Sequence, residues 1–380
     1  MKIKLSQRLD WEHQQVPNSS LWYSEAGIAP NQQVLVADDS FSANTLYQLA
    51  KDGHAILWQG DYQNARQALT AVARRVDRPQ RVGSVKKPTT PAEIFHQHRE
   101  EQRKRATILG QILIPISSTF EIKLRRGQDV KEALALVLET PSEDFVMSLR
   151  GLLAINSAYE WQKKGILIPF LQQKIIPCFG VFSPARSEYI DLVAQQPLPS
   201  PCNLAFDIGV GSGVLSAILA KRGIKNIIST DIDPRAIDCA TKNIHHLGYA
   251  AQVEVIQQPL FPAMQANLIV CNPPWVPALP SSPIENAVFD PDSSFLKSFL
   301  LEVVDHLTEQ GRAWLILSDL AEHLGLRSRD QLLNWIQEGG LQVVNKVDVS
   351  PKHPKTRNND DPLFFARSKE VTSLWEFAKV

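Results

Sequence analysis

Leu204-Ala205-Phe206-Asp207-Ile208-Gly209-Val210-Gly211-Ser212-Gly213 decides the fold of this 380-residue chain: an apolar run of strand length ends in glycine at every second position. Val214 to Ala220 continue as an apolar helix, which Gly223 closes. Strand, glycine-rich turn and helix in succession make a nucleotide site. Glycine lets the backbone approach a ligand closely and adopt φ > 0, and the helix N-terminus offers N–H groups with a partial positive charge. Any tight strand-to-helix turn also looks like this, so the neighbouring segments matter. Asn226-Ile227-Ile228-Ser229-Thr230-Asp231 reads as the next strand and ends in a carboxylate that could accept both hydroxyls of a ribose.

A second segment narrows the chemistry. Asn272-Pro273-Pro274-Trp275 follows the apolar run Ala266 to Cys271. The prolines fix φ and remove two backbone donors, so nearby carbonyls and the Asn272 side chain can face a small polar group as acceptors. Trp275 offers a flat apolar face on which an amide or a nucleobase could stack. A strand-ending Pro-Pro turn with a core tryptophan is the competing reading.

Together, D-I-G-V-G-S-G at 207–213, Asp231 and C-N-P-P-W at 271–275 resemble the successive motifs of class I S-adenosylmethionine-dependent methyltransferases. The branch in question methylates amide or exocyclic amine nitrogens and includes the HemK-type and small-methyltransferase-domain families. The resemblance implies an α/β, Rossmann-like fold with a seven-stranded, mostly parallel sheet. It also implies that Asp207, Gly209, Gly211 and Gly213 line the cofactor and that Asp231 binds its ribose. Asn272, Pro273, Pro274 and Trp275 would hold the acceptor nitrogen, with Asn272 also bordering the cofactor. Gly180 to Glu188 sits where HemK-type glutamine methyltransferases carry a proline- and acid-containing loop, and G-V-F-S at 180–183 is similar to the tandem-domain ribosomal RNA guanine-N2 methyltransferases. Val276-Pro277 and Phe289 to Ser293 resemble the lid after the HemK motif. The likeness covers about residues 165–350. One departure stands out: Pro259 occupies the place where these families carry an aspartate for the adenine amino group, so adenine recognition is expected to use Gln258 or backbone groups. A nicotinamide-dependent oxidoreductase also fits a glycine-rich turn followed by an acidic residue. Asp207 ahead of the glycines and the Asn-Pro-Pro-Trp segment argue against it.

Length predicts two domains. Hydrophobic content of 44%, charged content of 21% and a net charge of zero describe a soluble globular protein with no global attraction to nucleic acid. No apolar run approaches the roughly 18–20 residues that span a bilayer, and the N-terminus carries no apolar signal core. Cys178, Cys202, Cys239 and Cys271 are scattered, which predicts reduced thiols, no metal site and a cytoplasmic setting. Arginines and lysines crowd the stretch 74–126, among them Arg74, Arg75, Arg103, Lys104, Arg105, Arg125 and Arg126. This is either a phosphate-tracking surface or a solvated helix face laced with i,i+4 pairs such as Glu100–Lys104 and Glu101–Arg105.

The pattern divides the chain into an N-terminal α/β domain at 1–85, which resembles the degenerate N-terminal domain of the tandem-domain ribosomal RNA methyltransferases, a linker and mainly helical connecting region at 86–164, and the expected methyltransferase domain at 165–380. Expected elements include strands at Val34–Ala37 and Ala55–Trp58, a helix at Glu143–Lys164, a hairpin at 166–177 and a last strand at Leu363–Arg367. The acceptor stays open among an exocyclic base amine of ribosomal or transfer RNA, a glutamine in a translation-related protein, and no acceptor at all in a cofactor-binding scaffold. No membrane or metal partner is expected.

Overall fold

The computed structural model describes residues 2–25, 27–78, 88–184, 188–281, 283–351 and 354–380, without the side chains of Pro283, Pro354 and Lys355. The first two residues of the expected linker, 86 and 87, together with Ala185, Arg186, Ser187 and His353, lie outside the described residues. Two compact units result. One holds the described residues before 79 together with Gln97–Glu160, and the other holds Pro88–His96 together with Trp161–Val380.

The N-terminal unit contains β1 (Gln7–His13), β2 (Val16–Tyr23), β3 (Val34–Ala37), α1 (Ala43–Lys51), β4 (Ala55–Trp58), α2 (Tyr62–Val76), most of α3 (Pro91–Gly110), β5 (Ile112–Ile116), α4 (Lys131–Val137), β6 (Phe145–Ser148) and most of α5 (Leu149–Lys164). Its six-stranded sheet runs β1-β2-β6-β5-β4-β3. Local signals set the helix starts: Ser42 accepts from the Thr45 N–H to cap α1, and Asp61 accepts from the Gln63 N–H to cap α2.

Two expectations are corrected here. The N-terminal sheet does not close by residue 85, because β5 pairs with β4 and β6 pairs with both β5 and β2. An apolar strand such as Ile112-Leu113-Ile114 must bury both faces: Leu113 packs with Val146 against Leu9, Ala55 and Leu57, and Ile112 and Ile114 on the opposite face are fully buried. The supposed connecting region therefore supplies two strands of the first unit. Phe145, placed on a helix by its apolar spacing, belongs to β6, and the helix begins only at Leu149.

Part of the basic stretch is paired with acids. Glu100 pairs with Lys104 as the spacing predicts, and also with Arg103. Arg105 does not reach Glu101; it clasps Asp77 of α2 with bonds of 2.7 and 3.1 Å. Arg126 and Lys123 pair with Asp61 and Asp144.

The C-terminal unit continues with β7 (Ile166–Ile168), β8 (Gln173–Ile175), α6 (Glu188–Gln195), β9 (Leu204–Ile208), α7 (Val214–Lys221), β10 (Asn226–Asp231), α8 (Pro234–His246), β11 (Val253–Gln257), β12 (Ala266–Cys271), α9 (Ser294–His306), β13 (Leu307–Ser318), α10 (Leu320–His323), α11 (Arg329–Glu338), β14 (Leu341–Val349), α12 (Phe364–Arg367) and β15 (Thr372–Lys379). β7 and β8 form the expected hairpin. The main sheet runs β11-β10-β9-β12-β13-β15-β14; β15 is antiparallel to both neighbours and the other adjacent pairs are parallel. The last strand is thus Thr372–Lys379, correcting the expectation of 363–367. Leu363 to Arg367 instead turn helically after Pro362, with the Arg367 N–H donating to the Leu363 carbonyl at 3.0 Å.

Alternation along the central strands feeds two cores. Ala205, Leu268, Val270 and Trp314 face α6, α7 and α8, whereas Phe206, Ile208, Ile269 and Leu315 face α9 and α11. Three layers follow from that period of two. Among the described residues, no helix is long and apolar enough to cross a membrane.

Candidate active site at the switch point of the sheet

Chain order reverses between β9 and β12: one neighbour of β9, β10, follows it directly along the chain, and the other, β12, comes only after β11. Loops leaving two such strands diverge and open a crevice at their carboxyl ends. The glycine turn follows β9 and Asn272-Pro273-Pro274-Trp275 follows β12, so topology alone brings the two motifs together. A cavity of about 540 Å³ opens there, within the size range of small-molecule sites. Its wall includes Gly209, Val210, Gly211, Ser212, Asp231 and Asn272, together with Pro273, Pro274 and Trp275.

The glycines divide by function. Gly209 and Gly211 take φ of +77° and +52°, and an added Cβ would meet nothing closer than 3.9 Å, so their backbone faces open space. Gly213 is different. Its φ is +81°, and a Cβ there would lie 3.2 Å from Ala240 Cα and 3.3 Å from Ala240 Cβ. It caps α7 and lets α7 pack against α8, away from the cavity wall.

Asp207 is also absent from the wall. It is 1% exposed, and one carboxylate oxygen accepts from the Ser216 N–H at 2.9 Å and from the Ser216 hydroxyl at 2.5 Å. Ser216 in turn bonds Ser229 of β10 at 2.8 Å. Burial pushes the Asp207 carboxyl up to about 7, against the lowering effect of the Ser216 bonds. Neither Asp207 nor Gly213, both expected to line the cofactor, is on the cavity wall: Asp207 ties α7 to the sheet and Gly213 admits α8.

Asp231 stands at the end of β10 with its carboxylate half in use. One oxygen accepts from the Gly211 N–H at 3.1 Å and the other from the Asp233 N–H at 2.9 Å. Each oxygen keeps a further lone pair for a ligand. Burial raises the Asp231 carboxyl above its ordinary value, opposed by those backbone bonds. Beyond it, Ile232 is exposed and lines the cavity with Asp233 and Ala236. Gln258, the expected adenine partner, donates to the Phe261 carbonyl and is not on the wall.

At the other end, the Trp275 indole N–H donates to Asn272 Oδ1 at 3.0 Å. The segment after the motif is fastened at its base: Val276 and Phe289 form a parallel bridge, and the Asp290 N–H donates to the Val276 carbonyl at 2.9 Å. Asp290 then caps the start of α9 through the N–H groups of Phe295 and Leu296. Cavity residues that the motifs do not announce include Phe95, Tyr189, Arg367 and Glu370. Phe95 comes from far upstream, Arg367 ends the segment expected to be a strand, and Glu370 follows it. Among the described residues, no three His, Cys, Asp or Glu side chains converge as a metal site.

Sheet order and site geometry give an α/β domain with a ligand crevice at its switch point, and the proteins it is similar to are methyltransferases. A family profile described as "Ribosomal protein L11 methyltransferase (PrmA)" matches residues 192–273. The chain is 36% identical over 74 residues to the ribosomal protein L11 methyltransferase of Pelotomaculum thermopropionicum, which is 19% of this chain and 24% of that protein. It is 25% identical over 181 residues to the tRNA1(Val) (adenine(37)-N6)-methyltransferase of Shewanella sp. (strain W3-18-1), 45% of this chain and 73% of the relative. A solved ribosomal protein L11 methylase from Lactobacillus delbrueckii subsp. bulgaricus aligns over 55% of this chain and 86% of its own, with 18% identity and a TM-score of 0.38. The chain thus spans about a quarter of the length of the L11 methyltransferase and about three quarters of the tRNA methyltransferase.

Proposed function

We propose that the protein transfers the methyl group of S-adenosylmethionine to a planar nitrogen of RNA, an exocyclic base amine of transfer or ribosomal RNA. The observation that carries this reading is the convergence of Gly209, Gly211 and Asp231 with Asn272 and Trp275 on one cavity. The open φ > 0 backbone at Gly209 and Gly211 suits a close-lying cofactor, and the remaining lone pairs of Asp231 suit a ribose.

Bound there, S-adenosylmethionine supplies an already activated methyl group. The protein's part is alignment and exclusion of water. An aromatic amine is a poor nucleophile because its lone pair is delocalised into the ring. Asn272 Oδ1 and the Pro273 carbonyl, each accepting an N–H bond, draw electron density toward the acceptor nitrogen and oppose the positive charge that grows on it. The indole of Trp275 is a donor only, so its bond fixes which end of the Asn272 amide faces which way.

RNA as the acceptor is supported by the relative whose name gives it tRNA adenine as substrate, since the match to it covers 73% of that protein's length. The second reading, a glutamine-type or other nitrogen of a translation protein, draws on the L11 methyltransferase profile, which ends within the Asn-Pro-Pro segment. Incubating the protein with methyl-labelled cofactor and separated RNA and protein fractions tests the two. Label in RNA is the expected result; label in protein alone overturns it.

A further inference from the structure

Part of the cavity wall comes from a segment well outside the methyltransferase motifs. Residues 88–96 belong with the C-terminal unit, although the rest of α3 belongs with the other. Their conformation is well specified. Thr90 Oγ accepts from the Glu93 N–H at 3.2 Å, and the Glu93 carboxylate accepts from the N–H groups of Thr89 and Thr90 at 2.7 and 3.1 Å, a reciprocal capping box. That box fixes the first turn of α3, in which Phe95 is 3% exposed and lines the cavity. The ring packs in one cluster with Val276, Leu324 and Leu363, against which Trp275 and Phe289 also pack.

This apolar surround is more than an amide requires. A glutamine side chain presents a small polar group on a thin stem and needs two or three acceptors. A nucleobase is a flat apolar plate with a polar rim, and it needs aromatic faces as well as edge partners. Phe95, Trp275 and Phe289 supply aromatic surface, while Asn272, Asn286 and Glu370 supply polar groups on the same wall.

We propose that Phe95 is a specificity-determining residue for the acceptor, providing with Trp275 the aromatic surface that holds an unstacked RNA base for methylation. This rests on the N-methyltransferase reading above. The test uses the full chain, methyl-labelled S-adenosylmethionine and bulk RNA. Wild type is expected to label RNA, and Phe95→Leu, which keeps apolar volume but removes the ring, is expected to raise the KM for RNA roughly 5- to 100-fold, the range that stacking of one base contributes. Phe95→Tyr should stay within about twofold of wild type, and calorimetric affinity for S-adenosylmethionine should be unchanged in both. Thermal melting confirms that the variants are folded. Should Phe95→Leu label RNA like wild type, Phe95 only fills the core and this inference alone is overturned. Label in protein alone overturns it because the acceptor is then not a base, and label in neither polymer overturns the acceptor reading itself.

Discussion

The indole nitrogen of Trp275 donates to the side-chain oxygen of Asn272, 3.0 Å away, and so orients an amide three residues back along the same turn. On the proposed mechanism this bond keeps Asn272 ready to accept from the reacting nitrogen. Trp275→Phe preserves an aromatic face and deletes the donor. We expect kcat to fall about tenfold, the equivalent of one hydrogen bond, while cofactor affinity holds. Single-turnover methyl transfer measures this, and an unchanged rate would show that the amide needs no such support.

Asn272→Ala removes the acceptor itself. Methyl transfer should drop by at least about 100-fold, the scale of deleting one preorganised polar group at a reacting centre. Calorimetry should find S-adenosylmethionine binding within about twofold of wild type, since the side chain acts on the acceptor. Retained turnover would reduce the segment to a strand-ending turn.

How far the sequence carried is visible in particular residues. β9 and its glycines were legible because a buried parallel strand reads as a continuous apolar run and φ > 0 selects glycine. The β1–β2 hairpin was not: its turn is Gln14-Gln15, with φ of +51° and +62°, a conformation usually announced by Asn-Gly or Asp-Gly. Asp207 and Gly213 were given ligand roles because motif position says nothing about which side of a turn a group serves. Phe95 escaped notice because its contacts are with Val276, Leu324 and Leu363, more than 180 positions away. No local pattern encodes such a contact.

Asp231 serves two ends, holding the Gly211 and Asp233 N–H groups while presenting further lone pairs. Asp231→Asn keeps one acceptor oxygen and loses the charge. Affinity for S-adenosylmethionine should weaken about 10-fold or more, as expected when a hydrogen bond to a charged group, roughly 1.5–3 kcal/mol, is lost or reduced. Isothermal titration on the folded variant decides it. Unaltered affinity, or tight binding of NAD by the wild type, would sink the ribose assignment.

Asp207 makes a prediction that involves no ligand. Its carboxyl is raised by burial to about 7 in the folded chain and titrates near 4 when unfolded. Between those values the folded state binds more protons than the unfolded one, so stability should fall as pH rises from about 4 to about 7, and by no more than about 1.4 kcal/mol per pH unit. Asp207→Asn removes the titration and leaves an oxygen to accept the Ser216 N–H. Thermal midpoints at pH 5 and pH 8 should therefore converge in the variant, with the variant the more stable at pH 8. Because Asp207 lies behind the turn, cofactor affinity at pH 6 should match wild type. Parallel pH profiles for the two proteins would mean that Asp207 stays ionised across the range, and a large loss of cofactor affinity would return it to the cavity wall.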